Sequence, residues 1–234
     1  MSTTAFDAFF DDAAIFPPGN APVDVAVKQH LDRQGNRDGV HVGPFVCDVA
    51  RLPAVLEAAS TRLSVTLVGP ADEVVPALTT VARSSVEIVG IELPGPRGSL
   101  PMAAARSAAV EMPWGAGFEV PDGAVLKLRC GGAYVPTVDE LAAAITHCVE
   151  RGQAFKLTAG LHAAIRHDGA HGFVNVMAAV VAAMRGQDPA PVLSAGPEGL
   201  DLTSLAESRR LFRSIGTCSI EEPLADLRAL GLVP

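Results

Sequence analysis

Cysteine is scarce in this sequence, and its spacing argues against two common uses. The four cysteines are scattered and form no Cys-x-x-Cys pair, so neither a disulfide framework nor a zinc site is expected. The first residues carry acidic side chains where a signal peptide needs basic ones. No apolar run approaches the roughly 18 residues of a transmembrane helix. We therefore expect a cytoplasmic protein with reduced thiols and no membrane partner.

Basic residues are also fewer than acidic residues. The chain has 18 Lys and Arg residues against 26 Asp and Glu residues, and its net charge is −8. Such a balance argues against nucleic acid as the main partner. The sequence has no Gly-x-Gly-x-x-Gly turn after the first predicted strand and no P-loop, and we expect no cofactor. A small molecule is the expected partner, and homo-oligomerisation is left open.

What the sequence does contain is a sustained alternation of short β-rich runs and amphipathic segments, which predicts an α/β fold. The predicted strands span residues 40–48, 62–69, 85–93, 108–114, 124–132, 153–160, 191–196 and 212–219. The predicted helices span residues 23–33, 49–59, 71–83, 137–151, 172–185 and 221–230. Charges at alternate positions of central strands favour a TIM-type (β/α) barrel, whose upper interior forms a site. An open doubly wound sheet is the alternative.

We expect one domain over residues 1–234. Residues 1–35 are expected to form a segment and a helix that pack on the barrel. The run at 191–196 is rich in proline and glycine, so it is the weakest predicted strand. The barrel is therefore expected to be irregular or incomplete at its seventh strand, if anywhere.

Two strands carry the first chemical signal. Lys127 and Arg129 are two residues apart in LKLRCGG, and Lys156 and Thr158 are two apart in FKLTAG, so each pair shares one face of its strand. If the strands are neighbours, Lys156 lies close to Lys127. Two cations ~5 Å apart repel by ~3.3 kcal/mol at an effective dielectric of ~20. This repulsion predicts a lowered pKa for Lys156, and an uncharged lysine can attack a carbonyl to form an imine.

Acidic residues leave a second interpretation open. Glu87, Glu92 or Glu111 could neutralise these lysines by ion pairing, which would make the cations structural. Glu111 precedes Met-Pro-Trp at a strand end and is also a candidate proton relay. For Asp11 and Asp12, which precede a rigid Phe-Pro-Pro run, we favour helix capping over a place at the barrel mouth.

A histidine-rich stretch, GLHAAIRHDGAHGFVN, follows the Lys156 strand. In a barrel it would form part of the active-site rim. His162 is the candidate general acid or base because imidazole titrates near neutral pH. His171 and Asn175, one helical turn apart, are candidate substrate-binding residues. We predict no metal site here, and solvated loop histidines are the alternative.

The lysine strands resemble strands five and six of deoxyribose-phosphate aldolase. In that family strand six carries the Schiff-base lysine in a Lys-x-Ser/Thr-x-Gly motif, and KLTAG at Lys156 to Gly160 matches it. The resemblance therefore implies that Lys156 forms the imine.

The C-terminal FRSIGTCS also resembles the last strand of that family. There, a Gly-Ala-Ser-Ser turn binds the substrate phosphate. The resemblance makes Gly216 and Ser219 candidate substrate-binding residues. Two departures weaken the match: the predicted seventh strand has neither the family's lysine nor its double glycine, and Glu221 and Glu222 follow the turn. Ser219-x-x-Glu222 also has the pattern of a capping box.

The whole chain further resembles a group of bacterial proteins without an assigned activity, through the Phe-Pro-Pro start and the Lys-x-Thr-Ala-Gly-Leu-His run. This likeness implies a single domain and no particular reaction.

The sequence thus predicts an aldolase-like lyase acting on a small carbonyl compound, with an anionic group as an option. Its predicted catalytic residues are Lys156, Lys127, His162 and Glu111. Its predicted substrate-binding residues are Arg129, Thr158, His171, Asn175, Gly216 and Ser219. A barrel isomerase or hydrolase without an imine, and a non-catalytic binding subunit, are the alternatives.

Overall fold

The computed structural model describes residues 5–82, 84–95 and 107–234. Eight parallel strands close into a barrel in chain order, which confirms the predicted TIM-type fold. The strands are β1 (Phe10–Asp12), β2 (Val42–Asp48), β3 (Leu63–Val68), β4 (Val86–Pro94), β5 (Ser107–Glu111), β6 (Val125–Arg129), β7 (Phe155–Thr158) and β8 (Phe212–Thr217).

Helices form the outer layer of the barrel. They are α1 (Val23–Gln34), α2 (Leu52–Ala58), α3 (Ala71–Thr80), α4 (Val138–Arg151), α5 (Phe173–Met184), α6 (Pro189–Leu193) and α7 (Glu221–Ala229). The connection from β5 to β6, residues 112–124, is described in full and contains no helix. Among the described residues, no helix is long and apolar enough to cross a membrane.

The first strand of the barrel is one that the sequence did not reveal. The structure places β1 within the segment expected only to pack on the barrel. This strand pairs with both β2 and β8 and so closes the ring. The preceding Phe9 and the first strand residue Phe10 are fully buried, and both rings contact Phe173 on α5. Burial of these aromatic side chains fixes a strand too short for a periodic signal.

The strand predicted at residues 191–196 is wrong. The chain there forms α6, a short helix that begins with Pro189. Asp188 caps it by accepting a hydrogen bond from the backbone N–H of Ala190. An Asp-Pro pair is a helix-start signal, because proline lacks an N–H and its fixed φ suits the first turn. The true seventh strand is β7, so the barrel is complete.

Alternation of side chains along the strands separates an apolar shell from a polar interior. On β6 and β7, Leu126, Leu128, Phe155 and Leu157 are at most 1 % exposed and belong to the larger hydrophobic core. Phe155 stacks on Phe212 of β8 with ring centroids 4.9 Å apart. The residues between these positions face the barrel interior, where the lysines lie.

Candidate active site

A cavity of about 550 Å³ opens at the carboxyl ends of the strands. This is the end at which TIM-barrel enzymes carry their active sites. Its walls include Glu92, Glu111, Lys127, Arg129, Lys156 and Thr158. The sequence-predicted residues His162 and Gly216 also line it, together with Phe16 and the two prolines that follow. The Phe-Pro-Pro run therefore lies at the barrel mouth.

Glu92 on β4 joins the two lysines. Its Oε2 accepts a hydrogen bond from Lys127 Nζ at 2.6 Å, and its Oε1 accepts one from Lys156 Nζ. All three side chains are at most 8 % exposed. The lysine strands are neighbours, with Lys127 opposite Lys156 in the register. One buried carboxylate thus separates two ammonium groups that would otherwise repel each other.

Asp11 on β1 provides the second partner of Lys156. Its Oδ2 accepts hydrogen bonds from Lys156 Nζ at 2.5 Å and from Ser214 Oγ at 2.7 Å. Asp11 thus points into the barrel, whereas Asp12 points outward to His30 and Arg33 on α1. The expectation that both residues cap a helix is therefore wrong: α1 begins after Pro22 without a side-chain cap, and Asp12 instead contacts side chains further along that helix.

Glu111 at the end of β5 provides the second partner of Lys127. The distance from Lys127 Nζ to Glu111 Oε2 is 2.8 Å, and Arg129 lies 3.8 Å from the other carboxylate oxygen. The Glu111 side chain is 29 % exposed, so it links the buried lysine to the surface of the cavity. We call Asp11, Glu92, Glu111, Lys127 and Lys156 the interior ion cluster.

The charges of this cluster reverse one expectation. Burial by itself lowers the pKa of Lys156, but the negative charges of Asp11 and Glu92, with hydrogen bonds to both, raise it above the ordinary lysine value. The predicted lowering by Lys127 is wrong, because Glu92 lies between the two cations. Burial by itself raises the pKa of Glu92, but Lys127 and Lys156 lower it to about 2.

The pKa of Asp11 is shifted in the opposite direction from that of Glu92. Burial raises the pKa of its carboxyl group, and the attraction of Lys156 opposes that effect only in part. One neighbouring cation stabilises the charged form of a carboxylate less than the two cations beside Glu92 do. Asp11 is therefore the member of the pair that takes up a proton more readily.

His162 lies at the cavity rim, as expected for a loop that follows β7. Its Nδ1 is 2.8 Å from Glu222 Oε2, and its side chain is 35 % exposed. Ser219 Oγ accepts a hydrogen bond from the backbone N–H of Glu222. Half of the predicted capping box is therefore present, while the Glu222 carboxylate contacts His162.

His171 and Asn175 hold the conformation of the loop through contacts with the backbone. His171 Nε2 lies 2.8 Å from the carbonyl oxygen of Pro136. Asn175 Nδ2 donates to the carbonyl oxygens of Val192 and Ala195, and its Oδ1 accepts from the backbone N–H of Arg166. Both side chains are at most 1 % exposed. Neither lines the central cavity, so their placement argues against the predicted role in substrate binding.

Close backbone approach explains several glycines near the site. A Cβ on Gly131 would lie 2.7 Å from the Cα of Gly160, and a Cβ on Gly216 would lie 2.8 Å from Thr158 Oγ1. Glycine is needed where adjacent strand ends meet this tightly. Gly216 thus has a packing role beside the substrate-binding role predicted for it.

No group of three or more His, Cys, Asp or Glu side chains that could hold a metal ion occurs within residues 5–82, 84–95 and 107–234. His162 is paired with Glu222, and His171 is buried against a backbone carbonyl. The three histidines of the loop therefore do not converge on a common point.

Neither the comparison with protein-family models nor that with curated proteins gives a match. The resemblance to deoxyribose-phosphate aldolase thus stays a prediction that rests on short motifs. The structure changes the strand numbers on which that resemblance was stated. β1 moves the six strands from β2 to β7 up by one, while the last strand stays the eighth because residues 191–196 form no strand. Lys127 lies on the sixth strand and Lys156 on the seventh.

Sequence reasoning missed Asp11 as a member of the site and named Glu92 only as one of three acids. One signal was available: the chain has three lysines, Lys28, Lys127 and Lys156. Two of them lie inside the barrel, whereas the side chain of Lys28 is 76 % exposed. A chain that uses arginine at most surface positions and keeps two lysines inside identifies those lysines as chemically distinct.

Proposed function

We propose that this protein is an aldolase-like lyase that forms a Schiff base with a small carbonyl compound. The observation that carries the proposal is the pair of buried lysines that share one carboxylate at the base of an open cavity. A lysine in such a pocket is the nucleophile of imine chemistry, and the neighbouring carboxylates are suited to proton transfer.

Lys127, rather than Lys156, is the better nucleophile. The resemblance favours Lys156 through its Lys-x-Thr-x-Gly motif, but the contacts of the two lysines favour Lys127. Asp11 and Glu92 raise the pKa of Lys156, so that its ammonium group stays charged. Lys127 instead contacts Glu111, whose partly exposed carboxylate provides a path for a departing proton.

The step balances without a cofactor. Lys127 passes one proton to Glu111, and its neutral amine adds to the substrate carbonyl carbon. The carbonyl oxygen takes up a proton from the attacking nitrogen, which gives a neutral carbinolamine with one N–H. Loss of that oxygen and the remaining amine proton as water leaves the imine. Throughout, the Lys156 ammonium offers a positive charge to the oxygen as negative charge develops there.

Reductive trapping tests this proposal directly. The protein is incubated with a panel of small aldehydes, ketones and sugar phosphates, borohydride is added, and the mass gain is mapped by peptide mass spectrometry. We expect an adduct at Lys127, its loss in Lys127→Arg, and its retention in the control variant Lys28→Arg. Arginine keeps the charge but forms no imine under these conditions. An adduct at Lys156 would reverse the assignment of the two lysines, and no adduct with any compound would contradict imine chemistry.

One observation favours a second candidate. Both lysines are ion-paired, and the raised pKa of Lys156 suits a fixed cation. In a barrel isomerase or hydrolase without an imine, the two ammonium groups would bind an anionic substrate or intermediate. Retention of activity by Lys127→Arg would favour this candidate. The open cavity above the lysines counts against a purely structural role.

A further inference from the structure

A second cavity adjoins the first at the barrel mouth. It has a volume of about 1350 Å³ and shares Glu111 and Arg129 with the central cavity. Typical small-molecule sites have volumes of roughly 300–1,000 Å³, so the outer cavity is large enough for the body of a substrate. A molecule with its carbonyl group at Lys127 would extend past Glu111 and Arg129 into this space.

The wall of the outer cavity is unusually aromatic for this chain. The chain contains one tryptophan and one tyrosine, and both Trp114 and Tyr134 line this cavity. Their ring centroids are 6.5 Å apart with planes tilted by 38°. Tyr134 is 46 % exposed, so its side chain is accessible to a ligand. Leu93 and Met112 add apolar surface on the strand side.

The aromatic wall is held in place by specific contacts. The Trp114 indole N–H donates to the carbonyl oxygen of Arg129 at 2.5 Å, and Phe118 packs edge-on against the indole ring. The Tyr134 hydroxyl donates to Glu140. Trp114 lies on the β5–β6 connection, which is described in full and carries no helix. The ring positions are thus fixed before any ligand binds, which lowers the entropic cost of stacking.

The charges that line the outer cavity disfavour a phosphate group there. Among the residues that the structure describes, Asp72, Glu111 and Glu140 line the outer cavity, and Arg129 is the one cation beside them. At the β8 end of the central cavity, the turn expected to hold phosphate leads into Glu221 and Glu222. Carboxylates in these positions repel a dianion.

From this arrangement we propose that the substrate is an unphosphorylated carbonyl compound that carries an aryl group, with the aryl group bound by Trp114 and Tyr134. The inference rests on the proposed imine chemistry for the carbonyl end only. The aryl site itself exists independently of Lys127.

Trp114 allows a direct test, because it is the chain's one tryptophan and its fluorescence reports on the outer cavity alone. The probe is 4-nitrobenzyl alcohol, which has no carbonyl group and whose nitroaromatic ring quenches indole fluorescence. We expect saturable quenching in the full-length protein and the same half-saturation in Lys127→Arg. Tyr134→Ala should raise the half-saturation concentration by about 10-fold, Tyr134→Phe should restore it, and Val25→Ala on α1 is the unrelated control.

A parallel trapping experiment compares 4-nitrobenzaldehyde with propanal at equal concentration. We expect the aryl aldehyde to be trapped at least 10-fold faster, and Tyr134→Ala to reduce this ratio towards one. Saturable quenching without any trapped adduct would support the aryl site and contradict the imine. Efficient trapping of both aldehydes at equal rates, or no quenching below 10 mM probe, would overturn the aryl site and leave the imine proposal standing.

Discussion

The interior ion cluster and the histidine loop, residues 159–172, differ in what their polar groups contact. In the cluster, charged side chains contact one another and border a cavity. In the loop, His162 pairs with Glu222 at the rim. Deeper in the protein, His171 contacts a backbone carbonyl, and Asn175 on the following helix contacts three backbone groups. Side-chain contacts among charges leave groups that can exchange protons, whereas contacts with the backbone fix a conformation.

This difference shows which polar residues near a barrel mouth are the better candidates for chemistry. Imidazole groups in a rim loop attract attention because they titrate near neutral pH. Here they are bound or solvated, and the groups equipped for chemistry are the charges buried between strands. Five predictions sharpen this comparison, beginning with the largest expected effect.

Removal of the shared carboxylate should have the largest effect. Glu92→Gln leaves Lys127 and Lys156 with one carboxylate fewer between two buried ammonium groups, and breaking a buried ion pair costs about 3–5 kcal/mol. Urea denaturation should show this loss in the free energy of unfolding. The exposed Glu73→Gln on α3 is the control and should change stability by less than about 0.5 kcal/mol. A loss below about 1 kcal/mol in Glu92→Gln would mean that the cluster is not the tight ion pair described.

Acid should weaken the fold through the same residue. The pKa of Glu92 is about 2 in the folded protein against an ordinary value of 4.5. The unfolded chain therefore takes up this proton first, and the stabilisation, about 3 kcal/mol, is present above pH 4.5 and lost as the pH falls towards 2. Denaturation at several pH values should show this slope in the parent protein, and Glu92→Gln should lack it. Equal slopes in both proteins would contradict the assignment.

At alkaline pH, stability should change with pH in the opposite direction. The raised pKa of Lys156 stabilises the folded protein below the ordinary lysine value of 10.5. That contribution is lost as the pH rises above 10.5, because the unfolded chain releases its proton first. Lys156→Met should remove this dependence, and Lys28→Met should retain it.

The stability of the histidine loop should depend on the side-chain amide of Asn175 rather than on the exposed imidazole of His167. Asn175→Ala removes three hydrogen bonds to partly buried backbone groups, which should cost about 2 kcal/mol. His167→Ala, an exposed change in the same loop, is the control. Thermal unfolding with hydrogen exchange of residues 163–166 would locate the effect. A neutral Asn175→Ala would show that the loop holds its conformation by other contacts.

His162→Ala should have the smallest effect on stability. Its partner Glu222 is largely exposed, and exposed ion pairs contribute about 0–1 kcal/mol. The free energy of unfolding should change by less than about 0.5 kcal/mol. If His162 moves protons during catalysis, as its place at the rim suits, the variant should instead alter the pH profile of imine trapping. An unchanged pH profile would leave His162 without a chemical role.

Local pattern was sufficient for the regular parts of the fold. Alternating β-rich and amphipathic runs predicted seven of the eight strands and the closed barrel, and the two-residue spacing placed Lys127 with Arg129 and Lys156 with Thr158 on inward faces. Periodicity works there because each element buries one face along several consecutive residues. It fails for β1, whose three residues are too few to show a period.

The sequence by itself thus determined the α/β class, seven of the eight strands and the inward direction of the two lysines. Only the tertiary structure decided which acids meet them. Lys156 and Asp11 are 145 residues apart in the chain, Lys156 and Glu92 are 64 apart, and Lys127 and Glu92 are 35 apart. Barrel closure brings these residues together, and the shared Glu92 turns an expected repulsion between two lysines into ion pairing, because a charge between two others reverses the sign of their electrostatic environment.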